Sequence, residues 1–464
     1  MKLKPSPHRL TLGVLAGLTG FGLGGQASAA GFALRNQSTS GLGTGLASDT
    51  VNSYDASGIF ANPAVMSSMK GQNFSLGFDF IDANIKVSDA TRSNTNPLTG
   101  ERTPNPVNQG RTTVDTVSDP VMVPAVFGVH QINDTIHVGW GVTVPWATNT
   151  KYDEDWTGRY YSTKTELVVR EITLAGSYHV SEMLDLGLSV IYQMAEGKLN
   201  SAVDLGLNAA TINPVYLPNV GKADALSKFS ADSTGVGFQL GAIARPTPEL
   251  KVGLSLRTAV KHAAKGDLKF TPTNGSAAAF LTAAQGNAAT AARVSDASDA
   301  KLDLTIPAVY ALGAAYTMDA FTYYANATLT AWKTFDAFTI KYNEVQSTTK
   351  LDWKNSLYLA LGADYRLDPK LTLRWGLSRD QGVTTDATRT PRTPDNDRTG
   401  LTIGAGYQVT TSVKVNAAYQ RLILKDTKVD LSDTDYPDAA GRGNLTASYD
   451  IKPQLFMASL DVSL

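Results

Sequence analysis

Along most of this chain, apolar side chains alternate with small or polar ones in runs of ten or so positions. A period of two sends successive side chains to opposite faces of an extended strand, so each run is a strand with one apolar face. Ser356 to Arg366 sets Leu357, Leu359, Leu361, Ala363 and Tyr365 against Ser356, Ala360, Gly362, Asp364 and Arg366. Residues 399–410 repeat the pattern with Leu401, Ile403, Ala405, Tyr407 and Val409, and the chain ends on Phe456, Ala458, Leu460, Val462 and Leu464. Similar runs cover 122–131, 136–144, 167–180, 184–193, 236–245, 251–260, 302–317, 321–331, 371–378 and 413–424; with 74–87 the total is fourteen. Soluble sandwiches alternate too, but their strands average about five to six residues. Crossing a bilayer at a tilt takes about nine to eleven. The run length therefore predicts an all-β fold, a fourteen-stranded antiparallel transmembrane β-barrel with its apolar face to lipid.

The connections support this. Long polar stretches at 90–119, 146–165, 200–234, 271–300, 343–354, 379–398 and 425–445 alternate with short turns, the asymmetry of outer-membrane barrels, whose long loops face outward. A repeat marks the short-turn side: Leu174 to Tyr178, Leu312 to Tyr316, Leu361 to Tyr365 and Ile403 to Tyr407 each place a tyrosine just before a turn. Such tyrosines suit an aromatic girdle at a membrane interface. The glycines beside them are expected to point inward and leave lumen space.

Composition narrows the function. Among 464 residues, 41 are basic and 42 acidic, a balance that argues against nucleic-acid binding. With no cysteine there are no disulfides, thiolate metal sites or cysteine nucleophiles. At the N-terminus, Lys2, Lys4 and Arg9 precede the apolar stretch 10–23, and Ala27, Ser28 and Ala29 supply small residues for cleavage. This reads as a signal peptide over residues 1–29, because about 14 apolar residues are too few to span a bilayer, which takes about 20.

The segment from Ala30 to Gly71 has no long alternating run and is rich in Gly, Ser, Asn and Asp. It opens with Ala30-Gly-Phe-Ala-Leu-Arg-Asn-Gln-Ser-Thr-Ser-Gly-Leu-Gly43 and contains Asn62-Pro63-Ala64. Together with Tyr152–Tyr160, Asp352–Tyr365 and Pro394-Asp-Asn-Asp-Arg398, it resembles the FadL-type outer-membrane long-chain fatty acid transporters, a family that includes importers of aromatic hydrocarbons. The resemblance implies a hatch over residues 30–71 plugging a barrel over residues 72–464. It further implies passive uptake of fatty acids or similar hydrophobic molecules in a Gram-negative outer membrane, with lateral release into the bilayer past the hatch. Asn62, Pro63 and Ala64 would then form the gate, opposite a break in the wall. The end on Leu464 departs from the aromatic terminus usual in such barrels.

Further residues carry expectations of their own. The Ala-rich run 276–293 has helix propensity, with Phe280 and Leu281 as its bulky apolar members. By the resemblance it forms a substrate-collecting groove with Asn213–Pro218. A fatty acid brings a carboxylate, so an inward basic residue is expected near its head group. Uninterrupted parity from Lys251 turns Arg257 and Lys261 inward, and these are the head-group candidates; an inward arginine paired with a carboxylate to stabilise the barrel is the alternative. Lys198 and Lys341 lie near where the family's head-group residues would fall, yet parity turns both away from the lumen. His130, His137 and His179 read as surface or girdle residues, and without a G-x-S-x-G elbow the chain is not expected to be an enzyme. No cofactor or metal is expected; the expected partners are the hydrophobic ligand, outer-membrane lipid and lipopolysaccharide, with the protein a monomer. The rival readings are an aromatic hydrocarbon or alkane importer, which needs no basic head-group site, and a general porin, which a plugged lumen disfavours.

Overall fold

The computed structural model describes residues 30–95, 102–104, 110–115, 117–287, 290–432 and 442–464. The expected signal peptide lies outside them. In chain order the strands are β1 (Gln72–Asp82), β2 (Ile85–Thr95), β3 (Arg102–Pro104), β4 (Val121–Gln131), β5 (Ile136–Lys151), β6 (Lys164–Ser181), β7 (Leu184–Asp204) and β8 (Asp224–Ala244). They continue as β9 (Leu250–Arg257), β10 (Val260–Pro272), β11 (Ala297–Ile306), β12 (Val309–Met318), β13 (Phe321–Thr330), β14 (Ala337–Tyr342), β15 (Val345–Lys350) and β16 (Ser356–Arg366). The last are β17 (Leu371–Asp380), β18 (Arg398–Gln408), β19 (Val413–Leu424), β20 (Thr427–Leu431), β21 (Asn444–Ile451) and β22 (Gln454–Ser463). Among the described residues four α-helices accompany them: α1 (Thr39–Gly43), α2 (Leu205–Ile212), α3 (Gly275–Gln285) and α4 (Ala291–Val294).

Eighteen of these strands make one antiparallel sheet. β9 with β10, β11 with β12, β13 with β14 and β15 with β16 each form a single wall strand interrupted once, so the wall has fourteen members. It is closed, because Phe74 of β1 pairs with Gly128 of β4 on one side and Val462 of β22 on the other. Closure leaves the sheet with no edge strand, which a bilayer demands. The alternation sorts as predicted: Leu312, Leu361 and Ile403 are 55%, 63% and 64% exposed on the outside, while Glu171, Asp185, Ser189 and Gln193 are fully buried inside.

Two expectations about the wall need correction. The run 74–87 is not one strand, since the chain turns at Asn84 in a left-handed conformation (φ 38°), which asparagine tolerates. Beyond it β2 joins a separate sheet in the order β20-β21-β2-β3. The inward glycines also do not leave free lumen. Gly187 and Gly241, partners across the β7–β8 ladder, lie so close to Ala64 and Asn62 that a Cβ on either would collide with them. Gly362 and Gly376 meet Thr44 in the same way.

What fills the lumen is residues 30–71, nearly all buried. α1 starts where the Ser38 hydroxyl accepts from the Gly41 amide. Asn62 caps a 3₁₀ turn over Pro63–Ser68, its side chain accepting from the Ala64 amide at 3.0 Å with Pro63 at the first helical position. Asn62 Nδ2 donates to the carbonyls of Thr50 (2.8 Å) and Ala242 (3.2 Å), tying the turn to β8.

Candidate functional site

On the outward-facing end, α2 and α3 flank a groove of about 360 Å³ lined by Leu205, Tyr216, Phe280, Ala283, Ala284 and Val294. α3 begins where the Asn274 side chain accepts from the Ala277 amide and ends at Gly286. Phe280 meets Tyr216 edge to face at 5.2 Å, and Leu281 is buried against the wall with Phe229 and Phe270. The two apolar loops singled out in the sequence are therefore brought together, Phe280 lining the groove and Leu281 supporting it. Arg293 stands at its end.

Beneath, inside the barrel, an apolar cavity is lined by Leu167, Leu199, Phe229, Leu302, Leu304, Phe338 and Trp353, with Arg392 among them. Arg392 is 9% exposed. Its guanidinium donates to the carbonyls of Lys164 (3.1 Å) and Asn200 (3.3 Å) and to the Thr165 hydroxyl (3.1 Å), and it lies 6.0 Å from the Phe338 ring. No carboxylate pairs with it among the described residues. Burial, and then the nearby Arg442, pull its pKa down from the ordinary arginine value.

Two sequence motifs position this arginine. In Pro394–Arg398, Asp395 pairs with Arg398 and accepts from the Val383 amide, while Asp397 pairs with Arg379 (2.8 Å) and Lys425 (2.9 Å). In Tyr152–Tyr160, Tyr152 stacks on Trp156 at 4.3 Å and donates its hydroxyl to the carbonyl of Pro391, next to Arg392.

Phe32 closes the floor of the cavity. Its ring lies 4.7 Å from Trp332, 5.4 Å from Phe335, 5.9 Å from Trp353 and 6.2 Å from Trp146. A second cavity below holds Arg35, Asp49, Gln239, Arg257 and Tyr358.

Here the head-group candidates part. Arg257 faces inward as parity predicts, but it pairs with buried Glu171, whose carboxylate also accepts from Gln193 at 2.9 Å. Gln193 in turn contacts His262 at 3.0 Å. Lys261 is exposed on the outer face, contrary to parity. Thr258 and Ala259 interrupt the strand, and the register with β8 shifts by one residue between β9 and β10, which reverses the faces. Lys198 and Lys341 are both exposed, as expected, and Lys198 pairs with Glu166 at 3.1 Å. His130 is exposed, but His137 is buried inside with Nε2 2.9 Å from the Met69 carbonyl, and His262 is buried too, so the surface reading fails for His137.

The wall opposite Asn62-Pro63-Ala64 is fully paired, with Leu184 to Asp204 matched residue for residue to Ala244 to Asp224. The unpaired stretch lies elsewhere. β5 leaves β4 beyond the Val126–Val142 pair and bends inward, its register with β6 shifting between Thr143 and Trp146. The freed edge is taken up by residues 32–37: Leu34 donates to the Pro145 carbonyl (2.8 Å), Ala147 to that of Phe32 (2.9 Å), and Gln37 Nε2 to that of Val144 (3.1 Å). Pro124 and Pro145, prolines inside strands, were the signal for this edge, since proline cannot donate to a ladder. Arg392 and Phe32 gave no periodic signal.

A closed wall with an apolar outer belt, a lumen filled by residues 30–71 and an apolar cavity inside it define a membrane-embedded β-barrel with an internal plug. The chain belongs to the outer membrane protein transport protein family (OMPP1/FadL/TodX), whose model matches residues 21–463. It is 28% identical to outer membrane protein P1 of Haemophilus influenzae over 424 residues, 87% of this chain and 88% of that one. It is 25% identical to the long-chain fatty acid transport protein of Salmonella typhi, over 85% and 88% of the two chains. The crystal structure of a Pseudomonas aeruginosa FadL homologue matches with a TM-score of 0.83 at 27% identity, over 94% of this chain and 100% of that one. The protein is thus an outer-membrane transport channel for hydrophobic compounds and not an enzyme.

Proposed function

We propose that the protein takes up long-chain fatty acids down their gradient and releases them sideways into the membrane. Arg392 carries this reading, as a buried cation without a counter-ion in an apolar cavity. A carboxylate there would gain a charge-assisted hydrogen bond and relieve an uncompensated charge, while its alkyl chain lay on Leu302, Leu304 and Phe338. A neutral aromatic or alkane gains nothing from that charge, which argues against the hydrocarbon reading.

The ligand first meets the groove of Phe280 and Tyr216, and then the cavity of Arg392. Residues 30–71 act as the hatch, with Asn62, Pro63 and Ala64 anchoring it against Gly187 and Gly241 rather than facing the exit. Arg257 and Phe60 line the second cavity on the way down. The exit is the unpaired stretch between β4 and β5, closed by residues 32–37 until they shift. Leaving through the wall spares an apolar ligand the loss of about 25 cal/mol per Å² of buried apolar surface on entering water. Uptake of oleate against uptake of an uncharged hydrocarbon by cells carrying Arg392→Gln tests the reading. A selective loss of oleate uptake supports it, and equal loss of both overturns it.

A further inference from the structure

Beside the groove of Tyr216 and Phe280 lies a pocket of about 390 Å³ with a different character. Its lining includes the polar side chains of Tyr160, Asn208, Ser227, Arg293, Tyr342 and Arg442. Asn208, Arg293 and Val294 line the groove and the pocket alike, so the two meet at these residues. A molecule lying across that border has an apolar surface under one end and a polar, charged one under the other.

The helix α4 sets the border. Tyr342, at the end of β14, donates its hydroxyl to the Arg293 carbonyl (3.1 Å), and Asn343 Nδ2 donates to the Ser295 carbonyl (2.9 Å). On the other side Gln285 of α3 donates to the Val294 carbonyl at 3.2 Å. Val294 is buried while Arg293 is exposed. A backbone tied down on both sides thus keeps the guanidinium where groove and pocket join.

Two carboxylates also line the pocket, Asp204 and Glu344. Asp204 is engaged, accepting from the amides of Leu207 (2.8 Å) and Gly221 (2.9 Å) at the start of α2. Glu344 is exposed at the tip of the turn between β14 and β15. Behind the pocket, Arg92 and Arg159 lie 4.3 and 4.4 Å from the Tyr160 ring, and Asp224 pairs with Arg159 at 2.8 Å. Arg92, Arg159, Arg293 and Arg442 therefore stand against Asp204, Asp224 and Glu344, a surplus of positive charge. Among the described residues Arg293 forms no ion pair.

On the reading of the protein as a fatty acid importer, we propose that this pocket is a head-group site at the outer mouth. Arg293 takes the carboxylate of a long-chain fatty acid whose alkyl chain lies in the adjoining groove on Tyr216 and Phe280. A guanidinium matches a carboxylate through paired N–H donors, and at an exposed position the bond is weak. Weakness suits a collecting site, because the carboxylate must leave it for the buried Arg392.

The test compares uptake of oleate with uptake of oleyl alcohol, which has the same chain without the charge, by cells carrying the full-length protein. At low ligand concentration Arg293→Gln should slow oleate uptake about threefold, the size of effect expected of an exposed ion pair, and leave oleyl alcohol uptake unchanged. At saturating oleate the rate should recover, since the Arg392 cavity is intact. Arg293→Lys, which keeps the charge, should retain most of the oleate rate, and Arg293→Glu should fall below Arg293→Gln. Lys370→Gln, which alters an exposed lysine in a short turn, should match the wild type. The proposal is overturned if Arg293→Gln and Arg293→Glu take up dilute oleate at the wild-type rate, or if oleyl alcohol uptake falls as much as oleate uptake. Either result leaves the importer reading standing where Arg392→Gln still loses oleate selectively, and that reading falls by itself where Arg392→Gln does not.

Discussion

The backbone nitrogen of Ala30 donates to Asp380 Oδ2 at 2.8 Å inside the lumen, joining the start of the N-terminal segment to β17. The other oxygen of the same carboxylate meets Arg35 Nη2 at 3.4 Å and the Ser356 hydroxyl at 3.1 Å. Asp380 thus fastens both ends of the short stretch that covers the unpaired edge of β5. With the signal peptide removed at Ala30, as the sequence predicts, the amide becomes an ammonium and Asp380 faces two cations. Asp380→Asn should free this stretch, since losing one partner of a buried charge pair costs about 3–5 kcal/mol. Trypsin cleavage at Arg35 in the folded barrel should become faster, and an unchanged rate would show that the stretch is held by Phe32 alone.

Arg392→Gln is expected to cut oleate binding by about tenfold or more, because a hydrogen bond to a charged group is worth about 1.5–3 kcal/mol. Binding of a neutral hydrocarbon should not change. The thermal midpoint should hold or rise, since the substitution removes a buried charge that has no counter-ion while glutamine can keep part of its hydrogen bonding. A fall of the midpoint with unchanged oleate binding would make Arg392 a structural residue.

Arg257 should behave in the opposite way. Arg257→Ala leaves Glu171 buried and uncompensated, so the barrel should unfold at lower temperature while uptake of charged and neutral ligands falls equally. Adding Glu171→Gln should restore much of the stability. Selective loss of fatty acid uptake without loss of stability would return Arg257 to the head-group role.

Phe280→Ala removes one wall of the outer groove while Leu281 keeps α3 packed on the wall. Uptake should drop several-fold at low ligand concentration and recover when ligand is abundant, as expected for a residue that collects ligand. A uniform loss at every concentration would place Phe280 later on the path.

Asn62 and Ala64 are fully buried where the turn packs against Gly241 and Gly187, so bulky replacements there have no room. Uptake should be lost while heat-modifiability of the closed barrel remains, because the wall ladder behind them does not depend on these side chains. Uptake at the unaltered rate, with expression matched, would remove these residues from the transport path.

The alternation was enough for the wall, because one face of every strand meets lipid and the other a packed lumen. That contrast writes a period of two into the residues themselves, and the exposed Leu312, Leu361 and Ile403 follow it. The Ala-rich run likewise declared its helix, and Phe280 with it, through local propensity. Lys261 shows where such reasoning stops. A single irregularity at Thr258–Ala259 reverses every face beyond it, and parity carries no warning of a bulge.

What the sequence by itself determined is the class of architecture: a closed antiparallel barrel with unequal loops, and the residues its apolar belt presents. These depend on short-range patterning and on the demand that no backbone edge remain in lipid. Only the tertiary structure decided the interior. Arg392, Phe32, Asp380 and the unpaired edge of β5 come together from positions hundreds of residues apart, and Arg257 takes its charge partner from another strand. Such contacts depend on the register of the whole ring and on a plug folded against it, and no local run of residues encodes either.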